Sequence, residues 1–460
     1  MFRKLVVRLA CLTTLLCASA GAQPSQGTVT RPAPPAKPAI PTPPSQVPAT
    51  PARAERRMTL AHVLAHALQH APAVLVGRAA VSAGRAEVEA QSPLLPSDPV
   101  ISGSVGRRWT DSGSGLDYSI ALEQELDLSG RRGLQLGAAR SAVRAREAEQ
   151  SAAEWTVHQQ VHAAYHQALV ARERLAAAAR MQAFAERLAV VAEQRFRAGE
   201  TSPLPARLAA GEVAQARQAA LQAASDYESR RLDLARTAGW TERALLTPAE
   251  ELEAPEQPPD VTSLIRTAHE RQPALRAARA RHQAAQAHLS SAERRAWPNP
   301  TLGVNFENEA EPGAAPARTL SGTFSVPLPF WVGSKPEASR ARGALEQASA
   351  ERAALVATLE PSIVQAHARV SVNAERALLF GAEILPTFEK NLELLQKAFE
   401  LGEIDILQVL VAQERFLDAQ QDALQAFADY YDSWAELEAA VGAELHESAH
   451  ADTRSQAGAQ

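Results

Sequence analysis

Two stretches 203 residues apart carry the same punctuation: FRAGETSPLPAR at residues 196–207 and FELGEIDILQVL at residues 399–410. Phe196, Gly199 and Glu200 fall on Phe399, Gly402 and Glu403. At the same offset Ala216, Gln218, Leu221, Gln222, Asp226, Tyr227, Leu234 and Gly239 fall on Ala419, Gln421, Leu424, Gln425, Asp429, Tyr430, Leu437 and Gly442. Such ungapped agreement marks an internal duplication. In each copy a glycine closes a long helix-favouring run, where a left-handed residue is cheap only for glycine. Helix-starting residues follow, Thr201–Ser202–Pro203 in one copy and Ile404–Asp405 in the other. The stretch reads as the tip of a helical hairpin, made twice.

Working outward, no proline occurs from Arg131 to Ala198. A continuous helix there spans about 100 Å at about 1.5 Å per residue. Such a length calls for coiled-coil packing, and Leu410, Leu417, Leu424 and Tyr431 recur at the heptad spacing a helix seam requires. Pro361 and Pro386 are expected to kink or break the matching ascending helix of the second copy.

Before each hairpin the chain follows one plan. A first helix, marked by Leu60, Val63, Leu64, Ala67 and Leu68 and matched from Thr262, carries Pro72 and Pro273 at equivalent places. The period then changes to two. In LDYSIALEQEL, Leu116, Tyr118, Ile120, Leu122 and Leu126 oppose Asp117, Ser119, Ala121, Glu123 and Glu125. Leu302, Val304 and Phe306 alternate with polar residues in TLGVNFEN. Leu320, Phe324, Val326, Leu328 and Phe330 do so in LSGTFSVPLPF, and VISGSVGRRW is a weaker fourth strand. Segments of about ten residues with one apolar and one polar face suit a membrane barrel with a wet interior. A half-buried sheet in a soluble α+β protein alternates in the same way.

The 460 residues carry a net charge of −5, which gives no basic field for nucleic acid. Residues 1–22 read as a secretory signal, with Arg3, Lys4 and Arg8 ahead of LACLTTLLCA and small-residue cleavage options. The only cysteines, Cys11 and Cys17, lie within it, and Leu15–Leu16 before Cys17 fits a lipoprotein signal poorly. Cleavage would leave a charge of −8, by loss of those three cations. A Pro-rich linker over 23–57 favours extended conformations. The two repeats are expected over 58–250 and 259–445, ahead of a loose tail at 446–460. No stretch of about 18 apolar residues follows the signal, so no transmembrane helix is expected.

With these residues in place, the chain resembles the TolC-type outer-membrane efflux family across roughly residues 58 to 445. The marks are WPNPTLGVNF, the PLPF strand end at 327–330 and the tandem F-x-x-G-E tips. EQELDLSGRRGLQLGAARSA looks like the branch serving heavy-metal exporters of the cobalt–zinc–cadmium type. The resemblance implies a mainly α fold with a small β part, a duplicated helix-β-β-long α-hairpin. It implies a homotrimer whose four strands per protomer close a 12-stranded barrel in outer-membrane lipid, continued by a periplasmic α-helical barrel. An open sheet edge in lipid would leave backbone groups unpaired at several kcal/mol each. The implied partners are a periplasmic adaptor, met by Phe196, Gly199, Glu200, Phe399, Gly402 and Glu403, and an inner-membrane pump of the proton-driven resistance-nodulation type. Where some relatives narrow the periplasmic mouth with carboxylates one turn past the second tip, this chain has Gln408 and Val411, with Asp405 nearer the turn. The two prolines of SPLPAR stand where the family continues helix, which stiffens the first tip.

No nucleophile elbow, Walker loop or HExxH motif occurs, so neither an enzyme nor a cofactor is expected. His62, His66 and His70 fall at i, i+4 and i+8, as do His158, His162 and His166, and imidazoles one turn apart can share a divalent ion. Solvated helix faces would carry the same pattern, and His446 and His450 in the tail point to a metal less than the ladders do. Trp109, Trp297 and Trp331 stand near strand ends, where interfacial aromatics gather or ordinary packing occurs. Inward Asp117, Glu123, Glu125 and Glu307 would favour cations in a barrel lumen. The resemblance thus implies a passive exit duct, with metal cations the favoured cargo. The alternatives are the same duct for drugs or secreted polypeptides, and a periplasmic coiled-coil scaffold without a pore.

Overall fold

The computed structural model describes residues 55–111, 113–240, 245–310, 315–328 and 335–445. The signal segment, most of the linker, Phe330, Trp331, His446, His450 and the tail lie outside the described residues. Four long helical runs dominate. α1 (Leu60–His70), α2 (Pro72–Ala90), β2 (Val100–Thr110) and β3 (Gly113–Glu125) lead into the first hairpin, α3 (Arg131–Arg197) and α4 (Pro203–Thr237). α5 (Val261–Arg271), α6 (Pro273–Arg294), β5 (Thr301–Glu309) and β6 (Ala317–Ser325) lead into the second. That hairpin ascends through α7 (Lys335–Leu379), a π-helical segment (Phe380–Ile384) and α8 (Leu385–Glu400), and returns through α9 (Ile406–Val441).

Each expected first helix is two. Ala71 and Gln272 adopt extended backbone ahead of Pro72 and Pro273, because the residue before a proline is driven out of the α region. Against the expectation of no such stretch, Leu60–Ala90 is long and apolar enough by composition to cross a membrane. The break at Ala71 divides it, and Val63, Ala67, Val74 and Val81 are buried against the rest of the chain.

Pro361 does not break α7. It lies on the exposed face with Ala357, so the carbonyl that loses its partner faces solvent. The interruption falls at Phe380–Ile384, where Leu385 N–H donates to the Phe380 carbonyl and Pro386 occupies the first turn of α8. Its cause lies in the duplication. Buried Val157, Val161 and Ala168 correspond to buried Leu359, Ile363 and Val370 at an offset of 202, whereas the tip glycines Gly199 and Gly402 stand 203 apart. The second copy has one extra residue between these points, and one wider π turn takes it up.

The linker expected to run to Arg57 gives way at Glu55. β1 (Glu55–Met58) pairs in parallel with β4 (Leu245–Pro248). Remote side chains fix this pair. The Tyr165 hydroxyl donates to the Met58 carbonyl and accepts from Ala249 N–H, and Arg172 donates to the carbonyls of Pro248 and Glu250. In the second half Tyr430 and Tyr431 hold the connection at Glu256 and Glu253 in the same manner.

Three apolar clusters lie along the helices. One surrounds Tyr165 and Leu234, one surrounds Tyr430 and Trp434, and one near the tips joins Phe184 and Leu188 to Phe399, Val409 and Phe416. Beside Trp434, the buried Glu438 carboxylate accepts from Trp434 Nε1 and Leu445 N–H. Burial pushes its pKa up to about 7 against those two donors, with the Glu444 charge adding to the rise. Between its ordinary value and about 7, the folded chain keeps a proton that the unfolded chain has released. Stability from this group is therefore full at low pH and falls by up to about 3 kcal/mol as pH rises to about 7. His158 runs the other way: burial lowers its pKa against Glu444, so acid below its ordinary value removes stability. Thermal unfolding of Glu438→Gln should show a shallower loss between pH 5 and 8 than wild type; an unchanged slope would exclude Glu438 as the source.

Candidate functional site: an inverted sheet and a pair of hairpin tips

The four long strands form one antiparallel sheet, ordered β2-β3-β5-β6. The register sets Ile101 opposite Leu122, Val304 beyond it, and Ile120 opposite Phe306, with Leu320 next in line. One face is therefore apolar across all four strands, and Ile101, Val105, Ile120, Leu122, Val304, Leu320 and Phe324 are exposed on it. The other face carries Ser104, Asp117, Ser119, Glu123, Asn305, Glu307, Ser321 and Thr323. Along β3 its residues are the less exposed ones. A sheet in water buries its apolar face; this one presents it outward. β6 ends at Ser325, short of the expected run through Phe330, because Pro327 cannot donate to a ladder.

The expected lumen carboxylates Asp117, Glu123, Glu125 and Glu307 share the polar face. Asp117 accepts from Arg108 Nε and from Ala310 N–H, both at 2.9 Å, and Glu125 accepts from Asn299. Arg108 also pairs with Glu309 at 3.1 Å. Trp109 lies exposed on the apolar face near the end of β2, and Trp297, also exposed, stacks beneath the Arg294 guanidinium. β2 and β6 are edges, each with a row of unpaired backbone groups among the described residues.

At the far end of the helices the two tips are built alike. Glu200 N–H donates to the Arg195 carbonyl and Gly199 N–H to the Phe196 carbonyl; Glu403 and Gly402 repeat this on Ala398 and Phe399. Each tip is a Schellman turn, with φ of +79° at Gly199 and +80° at Gly402. Pro203 starts α4, and the Asp405 carboxylate caps α9 through Ile406 N–H. Asp405 and Gln408 are both exposed there, as are Glu200 and Glu403. The two phenylalanines part company: Phe399 is buried in the tip cluster and Phe196 is exposed.

Sequence reading missed Arg195. Its guanidinium donates to the Phe399 carbonyl at 3.2 Å, lies 5.4 Å over the Phe399 ring and pairs with Glu200 at 3.5 Å. It clasps the two tips together. The available signal was a departure from the repeat, since the equivalent residue is Ala398.

Neither histidine ladder gathers a metal-binding set; among the described residues no three His, Cys, Asp or Glu side chains converge. His62 contacts Thr59 Oγ1, and His66 stacks between His70 and Trp240. His158 and His162 are buried rather than solvated. His158 stacks on Trp155 and faces Glu444 at 3.2 Å, and His166 stacks on Tyr431 while bonded to the His162 carbonyl.

Residues 63–240 and 264–443 match the sequence profile of the outer membrane efflux protein family. The chain is 24% identical over 318 residues to the cobalt-zinc-cadmium resistance protein CzcC of Cupriavidus metallidurans, covering 69% of this chain and 75% of that one. It is 28% identical over 313 residues to protein CyaE of Bordetella pertussis, covering 63% and 66%. The fold superposes on the CmeC outer membrane channel of Campylobacter jejuni with a TM-score of 0.68 at 15% identity, over 90% of this chain and 97% of that one.

Proposed function

The chain belongs to the outer membrane efflux protein family and is a channel rather than an enzyme, and from that premise we propose that it is the exit duct of a tripartite export system. Three copies close their sheets into a 12-stranded barrel in lipid, and their hairpins prolong the bore into the periplasm. The observation that carries this reading is the sheet turned inside out, with its apolar face exposed and both edges open. In lipid the first feature is favourable, and the second demands closure. Strand directions alternate across the sheet, so β6 of one copy meets β2 of the next antiparallel, as an even-stranded barrel requires. A pore-less scaffold has no use for either feature.

The tips face a periplasmic adaptor, coupled to a proton-driven pump of the resistance-nodulation type. Beside the second tip, Phe388, Leu392, Leu395, Leu407 and Val411 line an apolar groove suited to helix-in-groove contact. Metal cations are the proposed cargo, supported by the likeness to a cobalt-zinc-cadmium resistance protein and by the acidic polar face. The alternative is the same duct for drugs or secreted polypeptides. Deleting the gene and scoring growth in cobalt, zinc and cadmium, against drugs and against secretion of polypeptides, tests this. Metal sensitivity alone is expected; loss of secretion alone would move the assignment to polypeptides.

A further inference from the structure

The outward face of the sheet is not apolar throughout. Within the four strands it carries no carboxylate and two cations, Arg107 on β2 and Arg318 on β6. Parity fixes their side, since Arg107 is in phase with Ile101 and Val105, and Arg318 with Leu320 and Phe324. Both are exposed and both stand at the hairpin-turn end of the sheet, remote from the helices. Toward the helices the same face holds Ile101, Leu122, Leu302, Val304 and Phe324 and bears no charge. Arg108 gives the contrast. One residue from Arg107 and turned to the polar face, it pairs with Asp117 at 2.9 Å and with Glu309 at 3.1 Å. Every carboxylate of the four strands lies on that side. Arg107 and Arg318 have no ion pair or hydrogen bond among the described residues.

A guanidinium facing hydrocarbon is costly, and its long stem lets the head reach the boundary with water. At one boundary only, this face offers forked cationic donors beside the exposed amphipathic rings of Trp109 and Tyr118. A guanidinium takes phosphate through two parallel hydrogen bonds, which suits it to that anion above other side chains. We propose that Arg107 and Arg318 hold the phosphorylated headgroup of a lipid in the outer leaflet, with its acyl chains lying on Leu116 and the apolar rows below. This rests on the barrel reading and adds a lipid site to it. Within one sheet three strand spacings, about 14 Å, separate the two arginines, too far to share one phosphate. They stand on the two edge strands, however, so where β6 of one copy meets β2 of the next they flank one seam, three seams to a barrel.

Lipid retention tests the site. Full-length protein purified in detergent is incubated with lipid A carrying two phosphates, with zwitterionic phosphatidylethanolamine or with inorganic phosphate, and read by native mass spectrometry. Wild type should retain up to three lipid A molecules per trimer, in clear preference to phosphatidylethanolamine. Arg107→Gln combined with Arg318→Gln should weaken lipid A retention at least about tenfold, the worth of one charge-assisted hydrogen bond. Each single variant should lose part of it, which keeps the test decisive if the double variant does not assemble. Arg108→Gln removes the same charge from the same end of β2 on the opposite face, and should retain lipid A as wild type does. Equal retention by wild type and the Arg107 and Arg318 variants overturns the site. So does an equal loss in Arg108→Gln, which would mean a diffuse effect of charge. Displacement of lipid A by equimolar inorganic phosphate, or equal retention of phosphatidylethanolamine, overturns recognition of a phosphorylated lipid headgroup. A trimer that takes up no lipid A removes the lipid site alone, whereas a wild-type chain that is monomeric and needs no detergent overturns the barrel reading as well.

Discussion

Ile120→Arg should remove the heat-modifiable trimer from the outer-membrane fraction, while Ser119→Arg, one residue away, should leave it in place. Ile120 lies midway along β3, flanked by Gly103 and Phe306, on the apolar exposed face. A cation at such a site in a bilayer costs about 2–4 kcal/mol per copy, and in a barrel of three copies the penalty is incurred three times. Ser119 points to the polar face, opposite Ser104 and Glu307, where an arginine gains a carboxylate neighbour. The pair separates lipid from water as the solvent of the exposed face. In water, Ile120→Arg would be harmless or helpful, since it would cover apolar surface. Wild-type membrane levels of that variant would end the barrel reading.

Gly442→Ala should be strongly destabilising, as should Gly239→Ala at the equivalent turn, and Gly402→Ala much milder. Gly442 and Gly402 both have φ of +80°, so a side chain at either meets the same backbone strain, about 1–2 kcal/mol. Their surroundings differ. A β-carbon at Gly442 would stand 2.6 Å from Gln272 Cα and 2.8 Å from Pro273 Cδ, at the α5–α6 junction that Gln272 ties to the carbonyls of Ala439 and Ala440. Backbone must then move, adding about 1–3 kcal/mol. At Gly402 the nearest atom is Arg195 Nη2 at 3.2 Å, the end of a flexible side chain. Thermal unfolding in detergent should place Gly442→Ala well below Gly402→Ala. Equal losses would mean that the α9 terminus does not bear on the α5–α6 junction.

The duplication, the alternation of the strands and the tip glycines can all be read in the chain, because each is written in neighbouring residues or in a fixed spacing. Period two in LDYSIALEQEL separates two faces before any contact is known. It does not say which face meets protein, and a soluble sheet and a lipid-facing one share the pattern. The register and the exposure of Ile120 beside Ser119 show which face is bare in the protomer. The histidine ladders show the reverse case, where a spacing that suits a metal-binding pair or a plain helix face equally well did not foretell that rings would stack on Trp155, Trp240 and Tyr431.

By itself, then, the sequence determined two copies of one helix–sheet–hairpin unit, with turns where only glycine takes a left-handed backbone at little cost. The tertiary structure alone decided the parallel pairing of Glu55–Met58 with Leu245–Pro248, the Arg195 clasp and the π turn at Phe380–Ile384. Each of these joins or reconciles segments far apart along the chain. Their energies come from contacts between remote residues, which local periodicity does not record.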